Sequence, residues 1–152
     1  MSINEEVQIL RNIPLFARMD ASKLKLLAFT SERISFRAGD LLVRQGDEAE
    51  CAYILIEGDA EVLVDTPQGP LTVATLGRND IVGEIAILID VPRTASVRAT
   101  SRVVTLRISK DLFFRLISEF PQLAIEIMRE LAHRLENTTT RLREAISRAP
   151  GT

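Results

Sequence analysis

Five turn clusters cut residues 33–107 into pieces too short for ordinary helices. They are Gly39-Asp40, Gly46-Asp47, Gly58-Asp59, Pro67-Gln68-Gly69 and residues 77–80, recurring about every 7 to 12 residues, as turns do in sandwiches and small barrels. Between them lie short alternating or apolar runs at 52–56, 61–64 and 71–76. Strands joined by tight hairpins satisfy such a pattern, because glycine supplies the positive φ a hairpin turn needs. The spacing predicts an antiparallel β roll over 33–107.

The period is helical on both sides of this stretch. Ile3, Val7 and Leu10, then Leu24 and Leu27, suit short amphipathic helices interrupted near Pro14, with Asp20-Ala21-Ser22 as a second start. Beyond Ser109, Leu112, Leu116 and Ile117 form one stripe, and Pro121 is placed to open a longer helix reaching about residue 148. Met128, Leu131, Leu135, Thr138, Leu142 and Ala145 step by 3, 4, 3, 4 and 3, which fits a coiled-coil seam as well as a helix lying on a core. The fold class expected is α+β, one domain over 1–148: a helical lead-in at 3–30, a jelly-roll-like antiparallel β roll (a double-stranded β-helix) at 33–107, and two helices at 109–148. Residues 149–152 read as a frayed tail.

Composition narrows the chemistry. The formal charge is 19 − 21 = −2, and residues 121–152 hold five arginines against four glutamates, so no basic footprint for nucleic acid or anionic lipid exists. One cysteine, Cys51, allows neither an internal disulfide nor a thiolate zinc cage. The single histidine, His133, lies in the long helix far along the chain from Cys51, and reads as a solvated helix residue. Cys51 reads as a packing residue. No phosphate loop ending in Lys-Ser or Lys-Thr and no GxGxxG turn is found. An enzyme, a bound cofactor and a metal are all unexpected. No run approaches the ~18 apolar residues of a membrane span, and residues 1–6 lack the positive start of a secretory signal; the expected location is the cytoplasm.

One segment departs from the strand pattern. At 81–95, Gly83 and Glu84 open a single apolar turn that Pro92 is expected to close, followed by Arg93, Thr94 and Ala95. The first N–H groups of such a turn have no internal partner and favour an anion. Gly83 admits close approach, and Arg93 offers a planar fork suited to phosphate. Glu84 beside an anion makes sense if it accepts hydrogen bonds from a hydroxyl of the same molecule. One arginine with backbone donors matches a single negative charge, and no acid cluster is present to hold Mg²⁺ with a triphosphate. Taken alone, Glu84 is an acid at a helix start and Arg93 a surface or capping arginine; together they describe a site for a sugar phosphodiester.

Gly83-Glu84-Ile85-Ala86 followed by Pro92-Arg93-Thr94-Ala95 resembles the phosphate-binding cassette of cyclic nucleotide-binding domains. The resemblance extends through Ile13-Pro14-Leu15-Phe16, Gln45-Gly46-Asp47, Tyr53-Ile54-Leu55-Ile56-Glu57-Gly58 and the two C-terminal helices. It implies that Arg93 and the backbone of Ile85 and Ala86 hold a cyclic phosphate faced by Thr94, and that Glu84 takes the ribose 2′-hydroxyl. Val73 and Val82 then line the base or sugar, and the last helix acts as a lid. The long helix is also similar to that of bacterial catabolite-activator-type regulators, where Thr138 and Thr139 align with a hydroxyl pair that meets adenine near a dimer seam, with Arg134 a secondary candidate. Those regulators continue into a helix-turn-helix domain, whereas no recognition helix follows here, so the expected module is alone or cut from something larger.

Two functions follow. The first is a sensor of cAMP or cGMP, with cAMP favoured by the two threonines, that signals to an unknown effector protein or domain. The second is an interaction or dimerisation module in which the 128–145 seam carries the contact, as a homodimer for example, and ligand is irrelevant.

Overall fold

The structure, a computed structural model, describes residues 2–148, with nothing described of the Arg148 side chain. The expected frayed tail, residues 149–152, lies outside the described residues. The chain forms two compact units, divided between Arg115 and Leu116.

The first unit opens with α1 (Ile3–Arg11), started by the Ser2 hydroxyl, which accepts from the Glu5 N–H at 3.2 Å as an N-cap does. A 3₁₀ turn at Pro14–Phe16 and α2 (Ala21–Thr30) complete the lead-in. The interruption at Pro14 follows from its missing N–H donor.

Eight strands follow: β1 (Glu32–Phe36), β2 (Leu41–Val43), β3 (Cys51–Glu57), β4 (Ala60–Thr66), β5 (Gly69–Leu76), β6 (Ile81–Val82), β7 (Ser96–Ala99) and β8 (Val103–Ser109). They form two four-stranded sheets, β1-β8-β3-β6 and β2-β7-β4-β5, and every pairing is antiparallel. The α+β roll expected over 33–107 is the architecture found. Leu42, Tyr53, Leu55, Val82, Val97 and Val103 belong to one buried cluster drawing on both sheets. β3 is buried at six successive positions, which explains why 52–56 is a continuous apolar run rather than an alternating one.

Two local details differ from the pattern. In the 77–80 turn the left-handed residue is Asn79 (φ 74°), not Gly77, an exchange that asparagine tolerates. In β5, Val62 faces Ala74 while Leu63 faces Thr72, so Val73 is the extra residue of a β-bulge.

Tyr53, the only tyrosine, packs edge-on against Phe36 with ring centroids 5.6 Å apart. Burial pushes its phenol above the ordinary 10.0; the Cys51 thiol adds to the shift and Arg107 opposes it. The folded chain therefore holds this proton more tightly than the unfolded chain. The stabilisation is fully present below pH 10.0 and is lost as pH rises from there through the folded value. A phenolate absorbance titration is expected to show a higher midpoint in the folded protein than in denaturant, and Tyr53→Phe to flatten the alkaline fall in stability. A folded midpoint at or below the denatured one contradicts this.

α4 (Lys110–Glu119) follows β8, with the Ser109 hydroxyl accepting from the Leu112 N–H at 3.2 Å. In the second unit α5 (Pro121–Arg148) begins at the expected proline. Along α5, Met128, Leu135 and Leu142 are each at least 60% exposed, seven residues apart on one stripe. No helix among the described residues is long and apolar enough to cross a membrane.

Candidate functional site

β6 is only two residues long and pairs with β3, Tyr53 opposite Val82 and Ile54 opposite Ile81. Continuing antiparallel, the chain beyond Val82 passes the start of β3, so Gly83 arrives beside Cys51. There it turns at φ +90° and enters α3 (Glu84–Leu88). Ala86 and Ile87 are buried and anchor the turn, while the N–H groups at its start are the ones an α-helical turn leaves without internal partners.

The expected stop at Pro92 is replaced by an earlier one. Val91 N–H donates to the Ala86 carbonyl at 3.1 Å and Asp90 N–H to Ile87 at 3.4 Å, with Asp90 left-handed at φ 53°. This is the Schellman arrangement with aspartate in place of the usual glycine. The helix ends four residues before Pro92, and Ile89 turns out to solvent.

The chain then returns so that Arg93 lies back against Gly83. Its Nη1 donates to the Gly83 carbonyl at 2.9 Å and its Nη2 to the Cys51 carbonyl at 2.5 Å, with the Cys51 Sγ 3.9 Å away. Among the described residues the buried charged side chains are Glu84, 5% exposed, and Arg93, 6% exposed, both in this one segment. The bonds of Arg93 go to neutral carbonyls, which fix the guanidinium without cancelling its charge. At most three of its five N–H donors are used, counting the weak bond to the Cys51 Sγ, and at least two remain for a ligand. Burying a guanidinium costs several kcal/mol in solvation, which hydrogen bonds to neutral carbonyls offset only in part; a bound anion offsets the rest.

The expected residues are placed as follows. Gly83, Glu84, Ile85, Ala86 and Arg93 come together in this turn, with Thr94 exposed and Ala95 half-buried directly after Arg93. Val82 and Val73 do not share an environment: Val82 is in the buried inter-sheet cluster, whereas Val73 is exposed at the β5 bulge. Arg134, Thr138 and Thr139 are exposed on α5, in the second unit, where Arg134 pairs with Glu130 at 2.9 Å. Sequence reasoning missed the Cys51 carbonyl as an acceptor for Arg93. No side-chain signal marks a backbone acceptor; the antiparallel pairing of β6 with β3 puts it there.

The class of domain in hand is an antiparallel β roll that carries a buried arginine beside a helical turn without a side-chain cap. The chain belongs to the cyclic nucleotide-binding domain family, whose model matches residues 33–120, more than half of its length. It is 33% identical over 108 residues to the cAMP-dependent protein kinase regulatory subunit of Emericella nidulans, covering 71% of this chain and 26% of that one. This chain thus spans about a quarter of that relative's length. Among solved structures it is similar to the sensor domain of the transcriptional regulator DNR from Pseudomonas aeruginosa, with TM-score 0.80, 23% identity, and 91% and 93% of the two chains covered. That likeness concerns the fold. The Thermus thermophilus catabolite activator protein matches with TM-score 0.78 at 25% identity, over 87% of this chain and 62% of that one.

Proposed function

We propose that the chain senses a 3′,5′-cyclic purine nucleotide at the Gly83–Arg93 turn, cAMP in preference to cGMP. The observation that carries this is the buried Arg93 guanidinium, fixed by hydrogen bonds to two neutral carbonyls. A cyclic phosphodiester brings one negative charge, matching one guanidinium, and takes the first N–H groups of α3, at Ile85 and Ala86, along with the Arg93 donors. The buried Glu84 carboxylate accepts from the ribose 2′-hydroxyl, and the exposed Thr94 hydroxyl adds a donor. The preference for cAMP rests on the resemblance alone, in which Thr138 and Thr139 align with a hydroxyl pair that meets adenine.

Capture of the phosphate shifts the population of arrangements of the turn, and α5 passes the signal to an effector. The exposed Met128–Leu135–Leu142 stripe supports a second role for α5 as a pairing surface for another copy of the chain.

Calorimetric titration with cAMP and with cGMP tests the reading. Micromolar binding, about −8 kcal/mol, is expected for cAMP and weaker binding for cGMP, with saturating ligand raising the melting temperature as any ligand selective for the folded state must. Thr138→Ala with Thr139→Ala is expected to remove the preference. Melting unmoved by either nucleotide sinks the sensor reading and leaves α5 as a ligand-independent interaction module.

A further inference from the structure

We infer that Ser96 and Gln45 are positioning residues for the Arg93 clamp, an inference that rests on the anion-site reading above. The main chain of Arg93 lies outside the strands and is held by a turn distant in sequence. Its N–H donates to the Asp47 carbonyl at 2.8 Å, and its own carbonyl accepts from the Gly46 N–H at 2.9 Å. That turn is pinned in its own right through residue 45. The Gln45 N–H donates to the Ser96 hydroxyl at 2.8 Å, across 51 residues of chain, and the Gln45 side-chain oxygen accepts from the Asp65 N–H at 3.0 Å.

The bonds close a ring. Arg93 is bonded to the 46–47 turn, the turn continues into Gln45, Gln45 is bonded to Ser96, and two residues, Thr94 and Ala95, lead from Ser96 back to Arg93. Asp65 lies on β4, the strand to which β7 and its first residue Ser96 are paired, Leu63 opposite Ser96. Gln45 thus refers the position of the turn to two strands at once. This assigns a task to Gln45-Gly46-Asp47, a motif for which the ligand site has no direct use.

A guanidinium at the end of a long side chain is placed only as well as its backbone is fixed, and binding groups must be held within about 0.5 Å to work. Ser96 and Gln45 act on the ligand through Arg93 and touch no ligand themselves.

The test uses the full chain and two readouts: calorimetric affinity for cAMP and cGMP, and the NMR signal of the Arg93 Nε–H in the ligand-free protein. Ser96→Ala is expected to weaken binding about tenfold, the size of one hydrogen bond's net contribution, and to shift or broaden the Arg93 signal. Ser96→Thr, which keeps the hydroxyl, is expected to restore both. If Ser96→Ala does not fold, Gln45→Ala and its partner Gln45→Glu, which keeps the acceptor, make the same comparison.

The inference is overturned by an unmoved Arg93 signal, by unchanged affinity, or by a loss that the conservative variant does not rescue. A wild-type chain that binds neither nucleotide refutes the proposed function instead, and the Arg93 signal still decides the positioning role.

Discussion

Arg93→Ala lowers cyclic-nucleotide affinity by about 2 to 4 kcal/mol, the range for truncating one partner of a buried, charge-assisted pair, or roughly thirty- to a thousandfold. The expected signature is an asymmetry between binding and stability. In the ligand-free chain Arg93 contributes two hydrogen bonds to carbonyls but carries the solvation cost of a buried charge, and these oppose each other. Removing the side chain therefore moves the ligand-free melting temperature little, while the ligand loses its counter-charge altogether. Arg93→Lys is no remedy: one ammonium replaces a fork that spans both the Gly83 and Cys51 carbonyls and still presents donors outward. Titration calorimetry beside thermal melts of the same samples measures both quantities. Affinity equal to wild type in Arg93→Ala contradicts the clamp.

Much of the roll was legible because its turns are written in residue types with special backbone needs. The Gly-Asp pairs mark places where side chains are selected by local conformation, so they survive without knowledge of what packs nearby. The α3 turn was legible for a similar reason, since Gly83 directly follows the buried strand β6 and breaks its pattern.

What could not be read depends on partners distant along the chain. The helix stop moved from Pro92 to Asp90 because a Schellman closure needs only one left-handed residue, and aspartate can take it where a proline was the more visible signal. The Val73 bulge comes from a one-residue mismatch between β4 and β5, which no property of valine announces. The acceptors of Arg93 are backbone oxygens, and the hydroxyl that pins its turn belongs to Ser96, a residue type too common to stand out. The sequence assigns Cys51 a packing role. It is buried as expected, yet the part of it that matters for the site is its carbonyl.

Gly83→Ala is expected to remove binding as fully as Arg93→Ala and, unlike it, to destabilise the ligand-free chain. Two separate effects act. At φ +90° a residue with a Cβ is strained by about 1 to 3 kcal/mol. The added Cβ also lies 2.3 Å from Arg93 Nη1 and 3.2 Å from the Cys51 carbonyl oxygen. The carbonyl is part of β3 and cannot retreat, so the guanidinium must give way, breaking its bonds to Gly83 and Cys51 and leaving the position from which it meets a phosphate. Gly39→Ala separates the two effects, because Gly39 has φ +94° and nothing within 4 Å of an added Cβ. It carries the backbone strain alone. Denaturant unfolding is expected to show a similar strain loss in both variants, and calorimetry to show nucleotide binding retained in Gly39→Ala and lost in Gly83→Ala. Wild-type affinity in Gly83→Ala means that the guanidinium does not need the place it occupies against Gly83, and the geometry argued for the site is then wrong.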